Sequence, residues 1–226
     1  MRLAAAALLV LALPARAGAE CAKPRQHPVV LNDGSDGGAL VVATVIGGDD
    51  EGEALQPTWT FKTGKATAKP VITTPAPGLV VYALPKGVAS AALSDGKRLR
   101  ARVTRGTKMI PPPLEAPAVK TMQRTQTPLQ RGTSNTHTVV TLAGPPPSDA
   151  AALVVTDSKG TARSYGIIDT GEANVTVYSQ VRCSVVPKGT VDSQLGDKVM
   201  LRYVDKRGRL GAATKPIEIT GAPALK

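Results

Sequence analysis

Residues 198–220, KVMLRYVDKRGRLGAATKPIEIT, constrain the fold of this chain more than any other stretch. Val199, Leu201 and Tyr203 alternate with Met200, Arg202 and Val204, which is the period of a β-strand with one face on a core. Turn chemistry follows in Asp205 to Gly208, because Asp bonds to nearby backbone and Gly takes positive φ without steric cost. The chain is therefore expected to reverse and run back extended over 213–220. Ile217 and Ile219 then point inward, Glu218 points outward, and Pro216 marks a strand start or sheet edge. An isolated hairpin is not stable in water, so its apolar face needs a second sheet. The reading is the terminal hairpin of a β-sandwich.

The rest of the chain is built from the same kind of segment. From Pro28 onward, short apolar runs alternate with Gly, Asp and Pro, and no helical period lasts beyond a turn or two. Residues 29–32, 39–46, 58–62, 70–73, 79–84 and 97–104 read as strands, with Trp59 and Phe61 sharing one face and filling its core. Pro111 to Pro113, Pro117 and Pro128 interrupt the next stretch, and TMQRTQTPLQRGTSNTH has almost no apolar periodicity. It reads as a linker over 121–135, separating a domain at 20–120 from one at 136–226. The second half offers strands at 136–144, 151–157 and 173–186, with a hairpin turn at Asp157 to Gly160. VVYALPKG followed by KRLRARVTRG is echoed by VRCSVVPKG followed by KVMLRYVDKRG, which reads as two copies of one plan.

Within 198–219, the segment YVDKRGRLG resembles the penultimate-strand turn of bacterial immunoglobulin-like and fibronectin type III-like modules, where a strand ending in Val-Asp leads into a Gly-containing turn. The resemblance implies an all-β fold of two immunoglobulin-like β-sandwich domains. The carboxyl half lacks the inter-sheet cysteine pair and core Trp of true immunoglobulin domains. What is implied is architecture, not activity.

Arg2, the apolar run 3–13 and the small residues Ala15, Ala17 and Ala19 read as a signal peptide over 1–19. The chain is therefore expected in the periplasm or outside the cell, and no apolar run is long enough to span a membrane. Cys21 and Cys183 are then expected to pass through an oxidising compartment and to form a disulfide. Such a bond requires that the two domains pack side by side, or that an amino-terminal arm reaches the second domain.

Without Arg2 and Arg16, 26 basic and 17 acidic side chains leave a net charge of +9. That balance favours anionic partners. One Trp, one Phe and four Tyr are too few for base stacking or a broad sugar-stacking cleft, so no specific nucleic acid is expected. Alternation puts Arg98, Arg100 and Arg102 on one strand face opposite Leu99, Ala101 and Val103, while Lys206, Arg207 and Arg209 crowd the terminal turn. These six residues are the candidate polyanion-binding set. The competing reading is a solvated strand whose charges block edge-to-edge aggregation.

Nothing in the sequence points to a cofactor or a metal. His27 and His137 lack the cysteine or carboxylate spacing of zinc sites; the acidic loops at 33–38 and 49–53 invite a calcium reading, but the run from Asn32 to Ala43 lacks the ligand spacing of an EF-hand, and solvated turns are the better account. Ser94 and Lys97 match Ser-x-x-Lys, but Asp95-Gly96 makes a turn where that motif needs a helix. The expected function is an exported, non-catalytic binding or accessory protein of the cell envelope, contacting another protein or an anionic polymer. The alternative is a small secreted hydrolase whose site, drawn from residues such as Ser94, His27 and His137, assembles from loops.

Overall fold

The computed structural model describes residues 25–26, 29–32, 34, 36–42, 45–46, 59–64, 66–106, 111–128, 134–169, 171–181, 195–196 and 198–221. The expected signal peptide at 1–19, Cys21, His27, the acidic loop at 49–53 and Cys183 lie outside the described residues. Ten strands come first: β1 (Arg25–Gln26), β2 (Val29–Val30), β3 (Gly38–Val42), β4 (Val45–Ile46), β5 (Thr60–Thr63), β6 (Ala66–Ala68), β7 (Val71–Ala76), β8 (Leu79–Ala83), β9 (Ser90–Ser94) and β10 (Leu99–Thr104). Eight follow: β11 (Val119–Pro128), β12 (Ser134–Leu142), β13 (Ala150–Thr156), β14 (Ala162–Ile167), β15 (Asn174–Val181), β16 (Lys198–Asp205), β17 (Ile217–Glu218) and β18 (Thr220–Gly221). The described residues contain no helix.

Apart from a β1-β4 ribbon, the strands form four four-stranded sheets, ordered β10-β9-β5-β6, β2-β3-β8-β7, β14-β13-β16-β17 and β15-β12-β11-β18. The β11–β18 pairing is parallel, and the others are antiparallel. Three apolar layers separate these four sheets. Ala39, Val41, Val80 and Tyr82 face Trp59, Phe61, Leu93 and Val103, so Trp59 and Phe61 share one core as the alternation requires. Leu153, Val155, Leu201 and Tyr203 face Met122, Val140, Val175 and Val177 in a second core. The third layer joins the two sheet pairs. Leu40, Val42, Leu79 and Val81 meet Ala152, Val154 and Val204 there.

This stacking explains why β3 and β13 are buried at every position. A strand covered on both faces reads as a continuous apolar run, and GALVV and AAALVVT are such runs. Burying five of the larger side chains in the joining layer contributes on the order of 10 kcal/mol gross. An exposed ion pair contributes about 0–1 kcal/mol, so apolar contact rather than surface charge holds the sheet pairs together.

Two expectations are corrected here. Residues 121–135 are not a linker, because most of the span lies in β11 and β12, which pair from Val119–Leu142 to Pro128–Ser134. Apolar periodicity is weak there because the inward positions toward one end of the pair are polar: Arg124, Thr136 and Thr138 are all buried. Between the sheet pairs, the described residues 105–106 and 111–118 lie in no strand, and the Leu114 carbonyl accepts a hydrogen bond from the Ala212 amide at 2.9 Å. The second correction concerns 213–220. Only Ile217 and Glu218 pair with β16, against Val199 and Lys198, and Thr220–Gly221 then crosses to β11. Pro216 has no N–H for the ladder, so the return strand begins after it. Ile219 is buried and Ile217 packs against the same core, while Glu218 is exposed, as the alternation predicts.

The sequence echo also divides. Residues 182–189 of the second copy lie outside the described residues, and of the two basic strands β10 is an edge strand whereas β16 lies inside its sheet. Strand β9, which the sequence reading passed over, holds the interior place in the amino-terminal half.

Candidate polyanion-binding surfaces

Three hairpin turns are built on one Asp–Arg device. Asp95 Oδ1 accepts the amides of Lys97 and Arg98 at 2.8 and 2.7 Å, and Oδ2 accepts Arg100 Nε at 2.8 Å. Asp157 Oδ1 accepts the amides of Lys159 and Thr161, both at 2.9 Å, and Oδ2 accepts Arg163 Nη2 at 2.7 Å. Asp205 repeats this with the amides of Arg207 and Arg209 at 2.9 Å and with Arg209 Nε at 2.7 Å. In each case one carboxylate oxygen replaces the ladder partners that the turn amides lack, and the other fixes a guanidinium. The amides of Arg98 and Lys97, with Arg100 adding to them, hold the Asp95 carboxyl down at about 2. The Thr161 amide, then Arg163, lowers that of Asp157.

The expected row of Arg98, Arg100 and Arg102 is broken by such a turn. Leu99 pairs with Ser94 and Ala101 with Leu93, so Arg100 is the extra residue of a β-bulge. Alternation slips there. Leu99, expected inside, is 60% exposed, while Arg100 turns onto the Trp59 ring at 5.5 Å from its centroid. Trp59 stacks in turn on Tyr82, whose hydroxyl is pushed up to about 12 by burial. Arg100 therefore belongs to the core lid. Arg98 and Arg102 remain exposed, and their guanidinium groups meet no acceptor or carboxylate among the described residues.

The second expected cluster is mostly structural. Arg207 reaches Asp36 at 3.0 Å and Asp149 at 2.6 Å, bridging the two sheet pairs. Arg209 is held by Asp205 and donates to the Pro111 carbonyl at 2.8 Å. Lys206 is exposed, and its carbonyl accepts Asn32 Nδ2 at 2.6 Å. Asn32 and Asp36 thus anchor the join. Beside it opens a cleft of about 220 Å³ lined by Leu31, Pro146, Pro147, Ile167, Ile168 and Lys206.

Ser94 is committed to its turn, because its hydroxyl donates to the Arg98 carbonyl at 3.0 Å and accepts the Gly96 amide at 3.1 Å. His137 is half-buried within β12, and the described residues hold no cluster of three metal-ligating side chains. No described helix is long and apolar enough to cross a membrane.

The outer face of β10-β9-β5-β6 carries a cation that sequence order hides. Arg102 pairs with Ala92, Ala92 with Lys62, and Lys62 with Thr67. Cross-strand partners point to the same side, so Arg102 and Lys62 share a face with a small residue between them. Lys62 is 40 positions from Arg102 in the chain, and only the strand order brings them together.

No family model matches the chain, and no curated protein matches it. Among solved structures, it is similar to one described as "Biofilm associated protein - BSP domain", at 14% identity and a TM-score of 0.26. That likeness covers 90% of this chain and 30% of the other.

Proposed function

We propose that the chain is an exported, non-catalytic binding protein of the cell envelope, made of two immunoglobulin-like sandwiches fused face to face, which docks an anionic partner on its amino-terminal half. Strand order supports the architecture. Sheet β2-β3-β8-β7 opposite β10-β9-β5-β6 corresponds to A-B-E-D opposite G-F-C-C′ of the immunoglobulin arrangement, and β15-β12-β11 opposite β14-β13-β16-β17 to E-B-A opposite C′-C-F-G.

One observation carries the binding reading. Arg100, Arg163, Arg207 and Arg209 each sit on a carboxylate, whereas Arg98 and Arg102 do not, and the strands of their sheet contain no Asp or Glu. A surface where cations are left uncompensated attracts anions over the range of the Debye length. The test is titration of the mature chain with polyphosphate, poly-glutamate and polygalacturonate at low ionic strength. Binding that fades with added salt and weakens in the Arg98→Ser, Arg102→Ser double variant is expected. Failure to bind any of the three would overturn the reading.

A further inference from the structure

We propose that the outer face of sheet β10-β9-β5-β6 binds an extended acidic polysaccharide of the polyuronate class, with Arg102 and Lys62 taking acidic groups on either side of Ala92. The inference deepens the polyanion reading and rests on it.

The geometry follows from register. Arg102, Ala92 and Lys62 lie in one row across three adjacent strands, so the two cations stand two strand spacings apart, about 10 Å. Ala92 raises only a methyl group between them, which leaves a shallow trough across the strands. The neighbouring row on one side pairs Thr104 with Ser90, and Thr67 closes the central row beyond Lys62. Arg102, Lys62, Thr104, Ser90 and Thr67 are all exposed.

The chemistry of this face selects among polyanions. Hydroxyls both donate and accept, which suits sugar hydroxyls better than the acceptor-only oxygens of a polyphosphate. Single-stranded nucleic acid is held by stacking on aromatic rings, and the outward positions of these strands carry none, since Phe61 and Trp59 are buried in the core. A folded acidic protein would need the apolar centre typical of protein interfaces, and Leu99 is the one large apolar side chain exposed here. A flat face with two spaced cations and hydroxyls around them fits an extended, hydroxylated polyacid.

Oligogalacturonate binding by the mature chain tests this, with Lys62→Ser, Arg102→Ser, their double variant and Lys159→Ser as a distant control. Each exposed cation contributes a factor of up to about five, so the double variant is expected to bind more weakly by a factor of up to about 25. Lys159→Ser is expected to match the parent, methyl-esterified oligogalacturonate is expected not to bind, and melting temperatures should be unchanged because both sites are exposed. Undiminished binding by the double variant, with loss instead in Arg98→Ser or Lys206→Ser, would overturn this face while leaving the polyanion reading intact. Binding of poly-glutamate, polyphosphate or RNA but not of oligogalacturonate would overturn the polysaccharide assignment. Failure with every polyanion would remove both.

Discussion

Gly208 offers the most direct probe of the layer that joins the two sheet pairs. It sits in the Asp205 turn with φ +79°, and a Cβ built there would overlap Val81 Cγ2 on the opposing sheet. Replacement by Ala has two separable costs. The left-handed backbone costs an L-residue about 1–2 kcal/mol, and forcing a methyl into a packed layer costs about 1–3 kcal/mol more. The total, about 2–5 kcal/mol, is a large part of the 5–15 kcal/mol typical of a folded domain. The structure supplies its own control. Gly160 occupies the equivalent place in the Asp157 turn with φ +80°, and nothing lies within 4 Å of its built Cβ. Gly160→Ala should therefore report the backbone cost alone. Urea unfolding of both variants is expected to place Gly208→Ala lower by the joining-layer share, about 1–3 kcal/mol. Adding Val81→Ala to Gly208→Ala should recover most of that share as a favourable coupling. If the two glycine variants are equally destabilised, and the Val81 and Gly208 effects simply add, the sheet pairs do not meet as described.

Other outcomes follow from particular side chains. Asp95 has a folded-state pKa of about 2, below its ordinary value of 3.8, so its stabilising share is present above about pH 4 and is lost as pH falls through 2. Acid titration of stability in Asp95→Asn should be shallower than the parent's in that window, and an unchanged profile would refute the turn's role. Thr138 is fully buried in β12 and its hydroxyl meets no partner among the described residues, so Thr138→Val is expected to stabilise by about 1 kcal/mol in thermal unfolding. Arg207→Gln removes the bridge between Asp36 and Asp149, which are partly exposed, and should cost about 1–2 kcal/mol after solvent screening, with less effect at high salt.

Much of the fold is legible in short sequence segments because strand period and turn chemistry are local. Val199, Leu201 and Tyr203 are buried as their alternation predicts, Trp59 and Phe61 share a core, and the Asp157 and Asp205 turns form where Asp and Gly fall at the right offsets. The strand at 119–128 escaped because its inward positions include Arg124, and inward polar residues erase the apolar period. The bulge at Arg100 escaped because alternation assumes one residue per ladder step, and a single extra residue reverses which side chains face out.

The sequence by itself determined an all-β chain, its main strands and its turns, since each depends on residues within about ten positions of one another, and an excess of basic charge, which is a sum over residues wherever they lie. Only the tertiary structure decided what those strands meet. The continuous apolar runs GALVV and AAALVVT mark strands covered on both faces, but nothing in either run says that the other is its cover. Which cations are free was likewise undecided. Arg100, Arg207 and Arg209 are neutralised by carboxylates, Asp36 and Asp149 being far away in the chain, and Lys62 joins Arg102 through two sheet neighbours. Local propensity sets a strand's period, whereas long-range pairing sets its partners, and the candidate binding face is made of partners.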